Sequence, residues 1–525
     1  MLALNEAGLK NRAEWLEKGY TLPAFDRAAM IENTRKAPLW VHFGAGNIFR
    51  AFQCAAAQKM LEAGQMASGI VAVEGYDYEI VEKGYRPNDN YTLLVTLKAN
   101  GSVDKTVIGS IAESCILDSE NDAEYGRLKE IFANPSLQLA TFTITEKGYA
   151  ITPAVEADFA NGPQKPQSYI GKVASLLYTR YQAGGAPIAM VSTDNCSHNG
   201  DKLKAAMNAF AQGWQDAGFA AYVNSGKVSF PWSMIDKITP RPDASVEQML
   251  REDGLQGLEP VVTSKHTYIA PFVNAEESEY LVIEDDFPNG RPPLEKAGFI
   301  FTDRDTVNKV ERMKVCTCLN PLHTALAVTG CLLGYTRISD EMKDADLTAL
   351  INKIGYAEGL PVVTDPGVIN PRDFIDTVVN VRLPNPFMPD TPQRIACDTS
   401  QKIPIRFGET IKCYMADPAR DASALDAIPL AIAAWLRYLL GVDDKGQPME
   451  VSPDPLLSQL QEALSGVSLG DPASAEGKVD ALLSQDALYG VSLAKAGLDG
   501  KVKAYFARML AGPGAVRQTL HDCLA

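Results

Sequence analysis

The sequence lacks the features of a secreted or membrane-spanning protein. Its nine cysteines include no CxxC pair, and their odd number and scatter are typical of reduced thiols rather than of a disulfide framework. The N-terminal segment, residues 1–19, is charged and amphipathic, unlike a signal peptide. The most apolar window begins at Ile428, but it is short and contains Arg437, so it predicts a buried helix. We therefore expect a cytoplasmic protein without a membrane partner.

Basic residues are also scarce. The 49 lysines and arginines are outnumbered by 65 aspartates and glutamates, which leaves a net charge of −16. Nonspecific nucleic-acid binding needs a basic surface, so this balance argues against a nucleic-acid partner. A small anionic substrate is still compatible with the charge, because a local pair of cations can override the field of the whole protein.

The length and patterning predict an α/β fold with more than one domain. A chain of 525 residues is too long for one ordinary core. Strand-like apolar runs alternate with helical patterns in the first half, which is typical of a parallel sheet, at residues 39–43, 70–73, 139–143, 188–191 and 261–263. Helical periodicity dominates later, at residues 322–333, 340–354, 428–440 and 501–510. A Pro/Gly-rich linker divides the chain into a sheet domain, residues 1–293, and a mainly helical domain, residues 294–525.

A glycine pair follows the first predicted strand. Glycines between a strand and a helix let the backbone turn tightly beside a pyrophosphate. The full GxGxxG pattern is not met, because phenylalanine occupies the third glycine position. An acid ends the second strand, where it would accept hydrogen bonds from an adenosine ribose and repel a 2′-phosphate, although an ordinary loop acid is the alternative. These features predict an NAD site of the Rossmann type that includes Gly44, Gly46, Asn47, Ile48, Phe49, Arg50 and Glu74.

Polar residues directly follow the predicted strand at residues 188–191. Ser192, Asp194 and Asn195 lie at the sheet edge where open α/β sheets bind ligands. An asparagine amide is a neutral donor for a carbonyl oxygen on which charge develops. We therefore expect Asn195 in the catalytic site and Asp194 in the cofactor site.

A second polar group surrounds a predicted helix start. Asn320 and Pro321 suit the cap and first position of a helix. His323 lies in the first turn, and Lys314 precedes the break. Hydride transfer to a carbonyl needs an acid, and a lysine can serve where burial and cationic neighbours lower its pKa. The alternative is structural: a helix cap, a core histidine and a surface lysine.

Two cysteines near the same histidine raise the question of a metal. Side chains two positions apart on a helix point about 200° away from each other, so they could not ligate one ion from a regular helix. We therefore expect no metal site at Cys316, Cys318 and His323.

A basic segment begins with a Thr-Pro pair. Thr391 and Pro392 predict a helix start, and we expect the helix to run to about Lys402 and to be closed by Pro404. Arg394 and Lys402 are turned by about 80° relative to each other and could share one face. Two such cations suggest an anionic or polyhydroxylated ligand, with a solvated basic face as the alternative.

Ordered motifs along most of the chain resemble one enzyme family. They are HFGAGNIFRAF from His42, TITEKGY from Thr143, VSTDN from Val191, FPWSMIDKITP from Phe230, YLVIEDDFPNGRP from Tyr280, LNPLHTALA from Leu319, RLPNP from Arg382 and RIACDTSQKIP from Arg394. The chain thus resembles the polyol-specific long-chain dehydrogenases, which include mannitol 2-dehydrogenase and the fructuronate and tagaturonate reductases. The resemblance implies an N-terminal Rossmann-type domain, a mainly helical C-terminal domain and a monomer.

The resemblance also implies catalytic roles. Lys314 would be the general acid/base, and Asn195 and Asn320 would hold the reacting oxygen. His323 would bind and orient the substrate, and Glu311 would relay protons to the lysine. The family spacing is Lys-x4-Asn-x2-His, whereas five residues separate the lysine from the asparagine here, one more than in the family. An added residue could be absorbed in the break before the helix.

Substrate contacts follow from the same resemblance. Arg394, Lys402 and Asp236 would contact the hydroxyls or carboxylate of the substrate. The family's Asp-Arg pair ends here in Lys237, which could lose a bidentate contact. Pro321 replaces the small residue usual between the asparagine and the histidine, which stiffens the turn.

Together these features predict an NAD-dependent, metal-free oxidoreductase that interconverts a keto sugar acid and its aldonate, with fructuronate to mannonate as the first choice. Tagaturonate reduction is the nearest alternative. A dehydrogenase of mannitol or arabinitol would need no carboxylate partner. A protein that binds NAD without turnover is the remaining hypothesis.

Overall fold

The computed structural model describes residues 1–388 and 390–524. It divides into two compact units, Met1–Asn308 and Lys309–Ala525. The strand Ile300–Thr302 belongs to the first unit because it pairs with Tyr280–Glu284. That unit therefore extends beyond residue 293, where the sequence places the end of the first domain.

The first unit contains both strands and helices. Its strands are β1 (Tyr20–Thr21), β2 (Trp40–Phe43), β3 (Ile70–Glu74), β4 (Thr92–Leu97), β5 (Val103–Ile108), β6 (Ile111–Ile116), β7 (Leu139–Phe142), β8 (Ile188–Ser192), β9 (Val228–Ser229), β10 (Ser233–Asp236), β11 (Val261–Val262), β12 (Tyr268–Ile269), β13 (Phe272–Glu276), β14 (Tyr280–Glu284) and β15 (Ile300–Thr302). Its α-helices are α1 (Arg12–Glu17), α2 (Arg27–Lys36), α3 (Cys54–Glu62), α4 (Asp122–Ala133), α5 (Pro153–Asn161), α6 (Tyr169–Gln182), α7 (Asn199–Gly213), α8 (Ala217–Val223) and α9 (Ala244–Glu252). Segments Phe49–Gln53 and Ile80–Tyr85 are π-helical.

A six-stranded parallel sheet forms the centre of this unit, in the order β6-β3-β2-β7-β8-β9. Alternate residues of β2 pack into two separate cores, Trp40 with α3 and Val41 with α4 and α6. Helices thus cover both faces, and the strands therefore occur in the sequence as continuous apolar runs. The four predicted strands from residue 39 to residue 191 are confirmed as β2, β3, β7 and β8. Because β3 and β7 flank β2 on opposite sides, its carboxyl end is a topological switch point.

The smaller sheets were mostly not predicted. They have the orders β1-β5-β4-β13 and β10-β14-β15, with β11 and β12 forming a separate pair. The run predicted at residues 261–263 forms β11, which pairs with β12 outside the parallel sheet. Strand β13 pairs with β4, far away in the sequence. Such pairings are set by tertiary contacts rather than by a local pattern.

The second unit is helical. Its α-helices are α10 (Arg304–Met313, which begins in the first unit), α11 (Asn320–Leu333), α12 (Ile338–Glu341), α13 (Ala345–Asn352), α14 (Pro371–Thr377), α15 (Pro392–Ile395), α16 (Thr399–Arg406), α17 (Gly408–Ala416), α18 (Ala427–Tyr438), α19 (Leu457–Ala463), α20 (Lys478–Leu483), α21 (Asp486–Tyr489), α22 (Asp499–Met509) and α23 (Ala515–Leu524). Segments Lys314–Cys318, Lys353–Gly359 and Val378–Arg382 are π-helical.

The core of the second unit forms around α11 and α18. Every residue of α18 is buried, which confirms the prediction of a buried helix in this apolar window. The helical stretch Arg304–Leu333 is long and apolar enough to span a membrane by length and composition alone. However, 83% of its most apolar window is buried inside the protein, as in a core helix. The helices predicted at residues 322–333, 428–440 and 501–510 correspond to α11, α18 and α22, whereas residues 340–354 are divided among shorter elements.

The prediction of a single helix from Pro392 to Lys402 is wrong. The segment forms two helices, α15 and α16, separated by Asp398 with a φ of +54°. Thr391 caps α15 as predicted, by accepting a hydrogen bond from the Arg394 N–H at 3.3 Å. Pro404, the expected end of the helix, lies inside α16, which continues to Arg406.

Candidate active site

The glycine turn after β2 has a backbone that requires glycine. Gly44 has a φ of +105°, and a Cβ atom there would lie 2.2 Å from the Thr143 carbonyl oxygen. A Cβ built on Gly46 would instead meet open space within 4 Å. Asn47 and Ile48 follow and are partly exposed. The turn thus leaves room for a pyrophosphate at a helix start, beside the switch point of the sheet.

Phe49 and Arg50, predicted to contact the cofactor, are core residues. Phe49 is fully buried and stacks on His42, with ring centroids 4.0 Å apart. Arg50 is buried and donates to the Thr92 hydroxyl at 3.1 Å and to the Ala270 carbonyl at 2.8 Å. Phe49 occupies the position where the GxGxxG pattern has its third glycine. The backbone there forms a π-helical turn that begins at Phe49. The side chains of both residues are thus held inside the protein, and any cofactor contact at these positions stays a prediction that would use their backbone N–H groups.

Glu74 faces the glycine turn rather than solvent. Its Oε2 accepts from the Ala45 N–H at 3.0 Å, and its Oε1 accepts from the N–H groups of Tyr76 and Asp77 at 2.7 and 3.1 Å. Burial raises the pKa of Glu74, and the backbone donors oppose that shift. Both oxygens are therefore engaged by backbone N–H groups in this structure, and the expected contact with a ribose stays a prediction.

Asp194 holds the loop that follows β7. It accepts from the N–H groups of Ile144 and Thr145 at 3.0 and 2.8 Å and from the Tyr149 hydroxyl. Thr145 has a φ of +66°, which is unfavourable for a β-branched residue, so these bonds stabilise a strained turn. Burial raises the pKa of Asp194, against the effect of its donors. The next residue, Asn195, is exposed just beyond the carboxyl end of β8.

Asp236 and Lys237 have different environments. Asp236 is the buried last residue of β10. The Lys237 ammonium donates to the Glu276 carbonyl at 3.0 Å and to the Glu279 carboxylate at 2.5 Å, with 3% of its side chain exposed. Lys237, which stands in place of the family's arginine, thus binds protein acceptors and is buried. Asp236 remains the substrate-binding candidate of the pair.

Lys314 opens a π-helical turn that accounts for its spacing to Asn320. The Leu319 N–H donates across five residues to the Lys314 carbonyl at 3.1 Å. A π-helical turn holds one residue more than an α-helical turn, so it absorbs an insertion without breaking the helix. Lys314 is 3% exposed, which excludes the alternative of a surface lysine. Glu311 lies one turn earlier on α10 and is partly exposed.

The two cysteines within this turn are protonated thiols. Burial raises the pKa of Cys316 to about 11 and that of Cys318 to about 12. In the part of the chain that the structure describes, no group of three or more His, Cys, Asp and Glu side chains could hold a metal ion.

Asn320 is the first residue of α11 rather than its cap. Leu319 occupies the cap position, and no side chain forms a cap hydrogen bond there. The helix start agrees with the prediction to within one residue. The Asn320 amide is therefore not used as a helix cap, unlike in the structural alternative.

His323 and Asp390 form a pair at α11. His323 Nε2 lies 2.7 Å from Asp390 Oδ2, and Arg394 binds the other oxygen of the carboxylate. Burial raises the pKa of Asp390, but the close contact with His323 and the charge of Arg394 outweigh it and hold the pKa below its usual value. Nε2 faces the carboxylate at close range without forming a hydrogen bond of regular geometry, so the contact acts mainly by holding the ring in place.

The two predicted cations of the basic segment have protein partners. Lys402 Nζ donates to the carbonyl oxygens of Ile395, at 2.8 Å, and Cys397. Burial is the main cause that lowers the pKa of Lys402. Arg394 is paired with Asp390, and 68% of its side chain is exposed. The structure therefore does not place these two cations around a common unpaired site.

Sequence reasoning missed Asp390, Thr324 and Arg406. Arg406 Nη1 donates to Thr324 Oγ1 at 2.5 Å and lies 3.5 Å from the Asn320 carbonyl oxygen. The expected helix end at Pro404 concealed this arginine, because it placed the residue outside the helix. Its position one helical turn beyond the second predicted cation was the available signal.

Two family models match the chain. The Mannitol dehydrogenase Rossmann domain matches residues 39–296, and the Mannitol dehydrogenase C-terminal domain matches residues 306–510. The chain belongs to the mannitol dehydrogenase family. Membership in this family confirms the predicted fold class and the prediction of an oxidoreductase.

Several curated proteins are similar to this family member. The D-mannonate oxidoreductase of Thermotoga maritima is 50% identical over 535 residues, covering 99% of each chain. The D-mannonate oxidoreductase of Escherichia coli is 29% identical and covers 80% of this chain and 84% of its own. The mannitol 2-dehydrogenase of Cereibacter sphaeroides is 28% identical and covers 85% of this chain and 89% of its own.

Solved structures of dehydrogenases share the fold. The mannitol 2-dehydrogenase of Pseudomonas fluorescens, in a ternary complex with NAD and D-mannitol, has a TM-score of 0.70 and 27% identity and covers 99% of both chains. A D-sorbitol dehydrogenase in substrate-free form has a TM-score of 0.75 and 25% identity, covering 96% of this chain and all of its own.

Proposed function

We propose that this member of the mannitol dehydrogenase family is an NAD-dependent reductase that interconverts a keto sugar acid and its aldonate, with fructuronate and D-mannonate as the favoured pair. The observation that carries the proposal is the 50% identity, over 99% of both chains, to a D-mannonate oxidoreductase. The related complex with NAD and D-mannitol supports NAD as the cofactor. The open space over Gly46 fits a pyrophosphate that Gly44, Asn47 and Ile48 would also hold.

The proposed reaction uses residues from several of the motifs that the chain shares with the family. NAD(H), when bound, supplies the hydride to the ketone carbon or accepts it in the reverse direction. During reduction Lys314 gives its proton to the ketone oxygen, so that ketone, hydride and proton together form the secondary alcohol. Asn195 and Asn320 donate hydrogen bonds to that oxygen while negative charge develops on it. His323 orients the substrate, and Glu311 passes a proton to Lys314.

Asp236 would contact the remainder of the substrate, whereas Arg394 and Lys402, also expected there from the family resemblance, are engaged by protein partners. A carboxylate at Asp236 suits sugar hydroxyls, which donate to it. Tagaturonate differs from fructuronate in the configuration of one hydroxyl and is the second candidate. Mannitol and arabinitol carry no acid group and would need no cationic partner. The π-helical turn at Lys314 supports catalysis over an NAD-binding protein without turnover, because it accounts for the altered spacing.

We also propose a cytoplasmic monomer. The buried cysteines, Cys54, Cys115, Cys316, Cys318 and Cys331, are free thiols, which fits a reducing compartment. The monomer follows from the family resemblance, and sedimentation equilibrium would measure it directly.

The proposed function is tested by following loss of NADH absorbance with fructuronate, tagaturonate and fructose. We expect preference for one keto acid. The Lys314→Ala variant should lose about 10²- to 10⁴-fold in kcat while still binding NADH, as followed by cofactor fluorescence. The exposed Lys412, which pairs with Glu409 at 2.7 Å, supplies a matched Lys→Ala control. Turnover of fructose alone would move the protein to the polyol branch, and NADH binding without any turnover would favour the non-catalytic alternative.

A further inference from the structure

The segment formed by α15 and α16 contains three cations that differ in what neutralises them. Arg394 is paired with the Asp390 carboxylate. The Lys402 ammonium donates to the two carbonyl oxygens at the end of α15 and just beyond it. These contacts already occupy both side chains, so neither is an obvious anchor for a ligand's negative charge.

Arg406 is the third cation, and its protein partners are neutral. Its Nη1 donates to the Thr324 hydroxyl at 2.5 Å and lies 3.5 Å from the Asn320 carbonyl oxygen. Among residues 1–388 and 390–524, no carboxylate forms an ion pair with Arg406, and no acceptor is bound to its Nε and Nη2. These two nitrogens form one edge of the guanidinium group, the edge that matches the two oxygens of a carboxylate.

The surroundings of Arg406 disfavour its charge. Burial lowers the pKa of Arg406 to about 10, and no acidic neighbour opposes this shift. A partly buried cation without an anion is unfavourable in the protein alone. An anionic ligand would supply the missing partner. The favourable pairing would make the protein bind an acid more tightly than a neutral polyol.

We propose that Arg406 binds the carboxylate of the sugar acid through Nε and Nη2. The inference rests on the proposed function, because it specifies which residue distinguishes an acid from a neutral polyol. Thr324 directly follows His323 on α11, so an anion bound to Arg406 lies beside the helix turn that presents His323 and Asn320. In this arrangement Arg394 acts on His323 through Asp390, and Lys402 secures the end of α15.

A structural role is the alternative, because Arg406 also joins α16 to α11 through Thr324. Arg406→Gln removes the charge, Arg406→Lys keeps the charge without the planar fork, and Thr324→Val removes the protein contact but leaves the guanidinium. Arg312→Gln is the matched control, since that arginine already pairs with Glu409 at 2.9 Å. Thermal unfolding of each variant measures any general loss of stability.

The decisive measurement compares the keto acid with fructose, as substrate or as competitive inhibitor. For Arg406→Gln we expect KM for the acid to rise roughly 10- to 100-fold, as for loss of a hydrogen bond to a charged group. The constant for fructose should change less than about threefold, Arg406→Lys should fall between wild type and Arg406→Gln, and Arg312→Gln should match wild type.

Equal losses for acid and fructose, or a loss in Thr324→Val as large as in Arg406→Gln, would overturn the assignment and indicate a structural role. These outcomes are distinct from failure of the proposed function, in which the wild-type protein itself would not reduce the keto acid. If the wild type prefers the acid but Arg406→Gln retains that preference, the function stands and the role of Arg406 is wrong.

Discussion

The Asp390→Asn variant tests how His323 is positioned. In the protein the carboxylate contacts His323 through one oxygen at 2.7 Å and Arg394 through the other. Only 17% of the His323 side chain and 13% of the Asp390 side chain are exposed, so water screens their contact weakly. Asparagine keeps the size of the side chain but removes its charge and one acceptor oxygen. The imidazole would then lose the contact that fixes its tautomer and orientation.

The size of the effect follows from this geometry. A regular hydrogen bond to a charged group contributes about 1.5–3 kcal/mol, and this contact falls short of regular geometry, so we expect Asp390→Asn to lower the free energy of unfolding by about 1.5 kcal/mol. The Arg394 contact adds less, because an exposed ion pair contributes at most about 1 kcal/mol. Misorientation of a group that contacts substrate costs on the order of 100-fold, and we expect kcat/KM to fall by roughly 10- to 100-fold.

The stability difference should also depend on pH. The folded pKa of Asp390 lies below its usual value. The stabilisation that the charged Asp390 carboxylate provides is therefore fully present above the pKa of about 3.9 of the unfolded state. It is lost as the pH falls through the lower pKa of the folded state. Wild type and Asp390→Asn should thus differ by a constant amount near neutral pH, and the difference should vanish in acid.

Urea unfolding at several pH values, together with kcat/KM for the keto acid, measures both effects. Arg394→Ala is the stability control, because it breaks the exposed contact and leaves the His323 contact intact. If Arg394→Ala destabilises the protein as much as Asp390→Asn does, the carboxylate acts mainly through the arginine. Wild-type stability and turnover in Asp390→Asn would refute the reasoning.

Two further predictions concern the glycine turn and a buried acid. Gly44→Ala should destabilise the protein by at least about 2 kcal/mol, because its φ is positive and a Cβ would lie 2.2 Å from a carbonyl oxygen. Gly46→Ala should leave the unfolding midpoint nearly unchanged and weaken NADH binding, and equal destabilisation by both would contradict the geometry. Glu341 is fully buried, and burial raises its pKa to about 9, so wild-type stability should fall as the pH rises from about 4.5 to 9. Glu341→Gln should remove that pH dependence. If chemical denaturation shows the same change of unfolding free energy with pH in both proteins, Glu341 is not its cause.

The sequence predicted the parallel sheet well because its central strands are buried on both faces. Such strands must be apolar along their whole length, so each is visible as a local run. The glycine turn was visible for a similar reason, since only glycine tolerates the conformation and close contact at Gly44. The role of Glu74 was not visible, because the same acid at a strand end can face a ribose or the backbone. Only the observed hydrogen bonds distinguish these arrangements.

The sequence by itself determined the fold class, the family and the candidate polar residues that follow Lys314 in the chain, because these depend on local periodicity and on motifs in a fixed order. Tertiary structure decided how the charges are paired. Asp390 neutralises Arg394, backbone carbonyls accept from Lys402, and Arg406 is left with neutral partners. Pairing depends on distances of a few ångströms between residues far apart in the chain, since the attraction between charges depends on their separation and burial. That information is absent from the order of the residues and is present only in the folded protein.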